Sequence, residues 1–215
     1  MPKSELLERF EQYILDSGLR PGDRLPKETE LAEQFGTSRG TLREMISYLA
    51  LKGILERRTS RGTVLRIPDA ADIANDLAFQ LKLLNCGKTE LNSTRQILEM
   101  SIVPSLVRYA TPRQIDTLAE LNREMLARKK DTRKADTFDL RFHLELFEIT
   151  GNRLLRIFAQ IITVQFEGNL RPPFPSVAAV ETSAAEHEAM IKAIAARDAA
   201  ALDKIVHDHI EAMPL

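Results

Sequence analysis

The sequence predicts a mainly α-helical protein in two parts: three helices with a short two-stranded ribbon, then an all-helical bundle of six or seven helices. Three observations lead there. Apolar residues recur at the i, i+3, i+4 spacing of a helix face through most of the chain. Only residues 54–67 break that period, with two short apolar runs around Thr59-Ser60-Arg61-Gly62, a sequence that suits a hairpin tip. Pro68-Asp69 then makes a boundary, dividing residues 1–68 from residues 69–215.

Each element has its own signals. Leu6, Leu7, Phe10 and Ile14 fall on one helix face, and Gly18 stands where a helix ends. Arg20-Pro21-Gly22-Asp23 reads as a turn. Pro26 opens a short helix through Leu31, Ala32 and Phe35, closed by Gly36. Ser38 is a good N-cap for a third helix carrying Leu42, Ile46, Leu49 and Leu51, closed by Gly53. Ile54-Leu55-Glu56-Arg57-Arg58 and Thr63-Val64-Leu65-Arg66-Ile67 are the two strands of the ribbon. Three helices and a ribbon make the winged helix-turn-helix layout. Beyond it, helical patterns cover residues 71–86, 89–110, 112–130, 134–150, 152–169, 178–197 and 199–213. Three prolines make residues 170–175 a loop, and Pro104 should kink the helix that contains it.

Composition excludes several function classes. A chain of 215 residues, 44% hydrophobic and 28% charged, can bury a proper core. No run reaches the roughly 18 apolar residues of a membrane span, and the start Met1-Pro2-Lys3-Ser4-Glu5 leads into a charged segment unlike a signal peptide. One cysteine, Cys86, cannot form an internal disulfide, so a cytoplasmic location is expected. The net charge of −1 rules out a polybasic coat, but it hides a local excess. Residues 36–67 carry seven basic side chains (Arg39, Arg43, Lys52, Arg57, Arg58, Arg61, Arg66) against Glu44 and Glu56. Such a block inside an otherwise acidic chain suits a polyanion-binding face, and charge alone fits a solvated charged surface as well.

In a helix-turn-helix, the second helix of the pair offers its N-terminal residues to base edges in the major groove. Here that start is Ser38, Arg39, Gly40, Thr41 and Arg43, with Arg39 and Arg43 on one face. A guanidinium can donate two hydrogen bonds to a guanine edge or bind phosphate. Thr59, Ser60, Arg61 and Gly62 at the ribbon tip, with Arg57 and Arg58 beside them, suit phosphate or minor-groove contact. Gly36-Thr37-Ser38-Arg39-Gly40 also matches the G-x-S-x-G elbow of hydrolases. That elbow needs a strand before its serine, and here a helix precedes it.

The four histidines point to a second site. Asp139 and His143, four residues apart, project to the same apolar side of one helix as Phe142 and Leu146. An ionised carboxylate there needs a partner. His209 sits in the stripe Leu202, Ile205, Val206, and His187 lies with Ala184, Ile191 and Ile194. An antiparallel hairpin folded near residue 198 brings His187 and His209 level. Taken singly, each histidine reads as a satisfied core or surface residue. Together the four groups form a three-nitrogen, one-oxygen set suited to Zn²⁺, Ni²⁺ or Mn²⁺. His207, two residues from His209, should face outward. Arg95 lies in the apolar stripe Leu91, Leu98, Ile102, Leu106, and a buried guanidinium wants a carboxylate from the protein or from a ligand.

Two families share these patterns. Pro21-Gly22-Asp23-Arg24-Leu25-Pro26, Glu28, Leu31-Ala32, Gly36, Ser38-Arg39, Leu42-Arg43, Leu49, Gly53 and Gly62-Thr63 resemble the winged helix of the GntR family. This implies DNA contacts from Arg39, Arg43 and the wing tip. Lys27, Gly40 and Ser60 depart from the family's usual residues, and Thr29 stands where some relatives carry a base-reading arginine, which bears on the operator sequence and not on the domain type. Arg95-Gln96-Ile97-Leu98-Glu99, Asp139 with His143, Thr150-Gly151-Asn152, Glu186-His187 and His209 resemble the FCD ligand-binding domain of FadR-type GntR regulators. There Asp139, His143, His187 and His209 fall at metal-ligand positions. The expectation is a transcriptional repressor that binds double-stranded operator DNA as a homodimer and has no contact with a membrane. A small organic acid near the divalent metal would control it, with Arg95 meeting the acid. The rivals are a direct metal sensor and, less favoured, a metal-dependent enzyme, which would need an open coordination position and a placed general base.

Overall fold

The computed structural model describes residues 3–59, 62–165 and 173–211. They form helices α1 (Lys3–Asp16), α2 (Glu28–Gln34) and α3 (Arg39–Leu51), strands β1 (Leu55–Arg58) and β2 (Gly62–Leu65), and helices α4 (Ala70–Leu83), α5 (Lys88–Tyr109), α6 (Pro112–Ala127), α7 (Thr132–Ile149), α8 (Arg153–Gln165), α9 (Val177–Ala196) and α10 (Ala199–Glu211). The chain divides into two compact units, Met1–Asp76 and Leu77–Leu215, the division falling within α4.

In the first unit α1, α2, α3 and β1 close over a core of Phe10, Leu31, Leu42, Ile46, Leu49 and Leu55. The start of α3 is fixed by Ser38, whose Oγ accepts the Thr41 amide at 3.1 Å. Its end is fixed by Gly53, at φ +70°, where the Gly53 amide donates to Ala50 and the Ile54 amide to Leu49. That paired return is a Schellman motif, and only glycine adopts its left-handed position freely. β1 and β2 pair antiparallel from Leu55 opposite Leu65 to Arg58 opposite Gly62. The residues read as a plain turn do more than turn. The Gly22 amide donates to Leu65 and the Leu25 amide to Thr63, while Asp23 accepts from Leu65, so this segment flanks β2 as a short third edge. Two or three paired residues are too few to leave an alternating pattern in a sequence.

The second unit packs α5, α6, α7, α9 and α10 around Ile102, Leu106, Leu118, Phe142, Leu146, Met190, Ile194, Leu202 and Val206. Helices α6, α7 and α9 open on the side-chain caps Thr111, Asp131 and Ser176. Pro104 stands inside α5 without ending it. Residues 170–172 of the expected loop, and the expected helix ends at 166–169 and 212–213, lie outside the described residues. The α9–α10 turn is held by Arg197, at φ +59°, whose guanidinium donates to the Val107 and Ala110 carbonyls at the end of α5. Among the described residues, no helix is long and apolar enough to cross a membrane.

Candidate metal centre and nucleic-acid face

The tight α9–α10 turn sets His187 of α9 against His209 of α10, with ring centres 5.0 Å apart. Helix α7 brings Asp139 and His143 to the same point. One donor atom from each of Asp139, His143, His187 and His209 lies within 4.8 Å of the others, and all four residues are buried. His143 Nε2 is 3.3 Å from both His187 Nε2 and His209 Nε2. Asp139 Oδ1 is 3.5 Å from His187 Nε2 and accepts the Ser183 hydroxyl at 3.1 Å. His187 stacks on Phe142 at 3.8 Å between ring centres. His207, two residues from His209, has a side chain 46% exposed and stands beside Asp208 and Glu211.

The outer ring nitrogens decide what the inner ones can do. His143 Nδ1 lies 2.9 Å from Glu99 Oε2, and His209 Nδ1 lies 2.5 Å from Glu186 Oε2. With Nδ1–H donating to a carboxylate, Nε2 carries the lone pair and points at the centre. Burial alone would raise the Glu99 carboxyl, but the Arg95 guanidinium and His143 hold it well below the usual carboxylate range. Burial pushes His143 down to about 4, with Arg95 adding to the effect and Glu99 opposing it. Burial likewise carries His187 well below the ordinary imidazole value. At neutral pH His143 and His187 are therefore neutral imidazoles, and the Nε2 atoms of His143 and His209 face each other 3.3 Å apart. Such an arrangement is repulsive without a proton or cation between the nitrogens. Its donor chemistry fits a divalent ion.

Beside the centre is a small cavity lined by Arg95, Glu99 and His143 with the apolar side chains of Leu140, Phe147 and Ile162. Arg95 is 4% exposed and its Nε donates to Glu99 Oε1 at 2.6 Å. It thus has a protein carboxylate as partner while also facing the cavity. The sequence reading did not assign Glu99, Glu186 or Ser183 a role. Glu99 was detectable as the i+4 partner of Arg95 on one helix face. Glu186 was detectable from the same fold about residue 198 that levels His187 with His209.

The candidate nucleic-acid face lies in the other unit. Arg39, Gly40, Thr59 and Gly62 are exposed, and Thr41 is half-buried. Ser38 is occupied in capping α3. Arg43 donates through Nε and Nη2 to Glu28 Oε2 at 3.1 and 3.0 Å. Arg57 approaches the same carboxylate at 3.8 Å and donates to the Arg43 carbonyl. Glu28 thus gathers two of the basic side chains of this face, a link that spacing within α3 could not reveal. Gly62 sits at φ +75°, where a Cβ would stand 3.0 Å from Arg24 Nε, so the wing tip is built around glycine. Ser60 and Arg61 lie outside the described residues.

Comparison with known proteins covers both units. The family model for bacterial regulatory proteins of the gntR family matches residues 2–65, and the FCD domain model matches residues 90–212. The HTH-type transcriptional regulator LutR of Bacillus subtilis is 25% identical over 92% of this chain and 92% of its own length. The HTH-type transcriptional repressor NanR of Citrobacter rodentium is 28% identical over 98% of this chain and 83% of its own. Among solved structures, a Streptococcus agalactiae GntR protein superposes with a TM-score of 0.66 at 24% identity, covering 98% of both chains. With a winged helix at one end and an FCD helical bundle at the other, this chain belongs to the GntR family of bacterial regulatory proteins and is a transcriptional regulator, not an enzyme.

Proposed function

We propose that this regulator is a cytoplasmic repressor that binds operator DNA as a homodimer and is controlled by a small organic acid beside a divalent metal ion. Asp139, His143, His187 and His209 would hold the ion, which is zinc, nickel or manganese. Arg95 would meet the acid's carboxylate. The observation that carries this reading is the convergence of four buried donors within 4.8 Å, with an adjoining cavity that one of them, His143, lines together with Arg95 and Glu99. When bound, the ion supplies fixed positive charge and coordination positions for ligand oxygens. The chain's own residues orient that ligand, Arg95 by its forked donors and Leu140, Phe147 and Ile162 by excluding water.

On the DNA side, Arg39 and Arg43 would read base edges, and Thr59, Ser60, Arg61 and Gly62 would meet the backbone. A winged helix has no twofold axis, so two half-sites call for two copies of the chain. The name of the NanR relative, a repressor, favours repression over activation.

The test joins metal analysis to DNA binding. The purified protein should contain about one ion per subunit, lost in Asp139→Ala and His143→Ala. An operator fragment selected from random sequence should bind with an affinity that changes with at least one small carboxylate. Arg95→Ala should abolish that response and leave acid-free DNA binding intact. A metal-free protein, or a full acid response in Arg95→Ala, overturns the reading.

A further inference from the structure

The two carboxylates behind the metal centre are not equivalent. Glu186 is partly exposed, with its side chain at 32%, and among the described residues it bonds His209 alone. Glu99 is 1% exposed and divides its oxygens between two partners. Oε2 takes His143 Nδ1–H at 2.9 Å, and Oε1 takes Arg95 Nε–H at 2.6 Å. Arg95, Glu99 and His143 all line the same cavity. We propose that Glu99 is a positioning residue that ties occupancy of this cavity to the affinity of the metal centre.

The physical link is competition for one buried charge. Hydrogen bonds to an ionised group are strong where water is excluded, and what one donor draws from the carboxylate the other loses. While Arg95 draws on Glu99, His143 Nδ1–H has a weakened acceptor. An anion entering the cavity shares the guanidinium and returns negative charge to Glu99. Glu99 then holds Nδ1–H more strongly and makes His143 Nε2 a better donor. A carboxylate in the cavity therefore tightens metal binding, and by linkage the metal tightens the carboxylate to the same degree. This inference rests on the site reading proposed above, and it adds the path and the sign.

The experiment measures zinc affinity with free zinc set by a competing chelator, with and without acetate, at constant ionic strength. In the wild type, acetate should tighten zinc by about fivefold or more, the lower end of ordinary coupling. Glu186→Gln should weaken zinc by about 10–100-fold, as loss of an outer partner does, and keep the acetate factor. Glu99→Gln should weaken zinc comparably and bring the acetate factor to one. Nitrogen NMR of the metal-free protein should show His143 held as the Nδ1–H tautomer in the wild type and in Glu186→Gln, and mixed in Glu99→Gln. If Glu99→Gln does not fold, Glu99→Asp carries the same expectation, because it keeps the charge but is one methylene too short to span both partners. An acetate factor that survives both Glu99 variants overturns the proposal while leaving the site reading intact, since the coupling would then run directly through the ion. Acetate binding without any effect on wild-type zinc affinity also overturns it. A wild type that binds neither zinc nor acetate removes the site reading itself, and this inference with it.

Discussion

Removing the ion should loosen the C-terminal unit and leave the N-terminal unit unchanged. All four histidines and the single cysteine lie beyond residue 76, so a chelator finds no comparable ligand set in Met1–Asp76. The two units also have separate apolar cores. An ion that binds only the folded state, at a free concentration 100 times its Kd, stabilises it by about 2.7 kcal/mol. For a unit of about 140 residues, each kcal/mol moves the melting midpoint by about 3–5 °C, which gives a fall of about 10 °C on chelation. Scanning calorimetry of the zinc-loaded protein, before and after dialysis against a chelator, reads the shift. Superimposable traces, with metal analysis proving that zinc was bound and then removed, would refute the assignment of these four side chains to the ion. So would a fall confined to the N-terminal unit.

Other outcomes follow from the same geometry. His209→Ala should lower metal occupancy and His207→Ala should not, although the two deletions are identical and two residues apart; equal losses by metal analysis would contradict the burial of one and the exposure of the other. Lowering the pH should destabilise the protein. His143 in the folded state titrates near 4 and in the unfolded chain near 6.5, so the unfolded state takes up the proton first. Stability present above about pH 6.5 is then lost progressively toward pH 4, and urea midpoints at pH 7.5 and pH 5 measure the fall. Arg39→Ala should weaken specific operator binding by about 1–3 kcal/mol if it reads a base. Glu28→Gln should release Arg43 and Arg57, raise DNA affinity and steepen its salt dependence; anisotropy titrations from low to moderate salt that show weaker binding would place Arg43 away from the DNA.

Much of this architecture was legible because helices announce themselves locally. The cap Ser38 and the turn near residue 198 are properties of a few neighbouring residues. The His187–His209 pairing needed only a count of residues about that turn. What stayed hidden depends on how elements dock. Glu99 reaches His143 from 44 residues away, which requires α5 to lie along α7 in one register, and periodicity does not supply that register. Glu28 reaches Arg43 across 15 residues, and the angle between α2 and α3 decides that contact. The edge pairing of Gly22, Asp23 and Leu25 with β2 is backbone chemistry, so side-chain identity carries little trace of it.

The spread of the four donors along the chain has a consequence for folding. His143 stands 44 residues before His187 and 66 before His209. An ion joining them would close long loops, as a covalent cross-link does, and such closure removes conformational freedom from the unfolded chain. A chain with one cysteine has no disulfide with which to do this. Such a histidine clasp would need no oxidant and would come apart in acid or in a chelator. Because its loops are long, the donors meet only after α7, α9 and α10 have docked, so a growing or half-folded chain has nowhere to hold the ion. Metal capture would thereby report a completed domain.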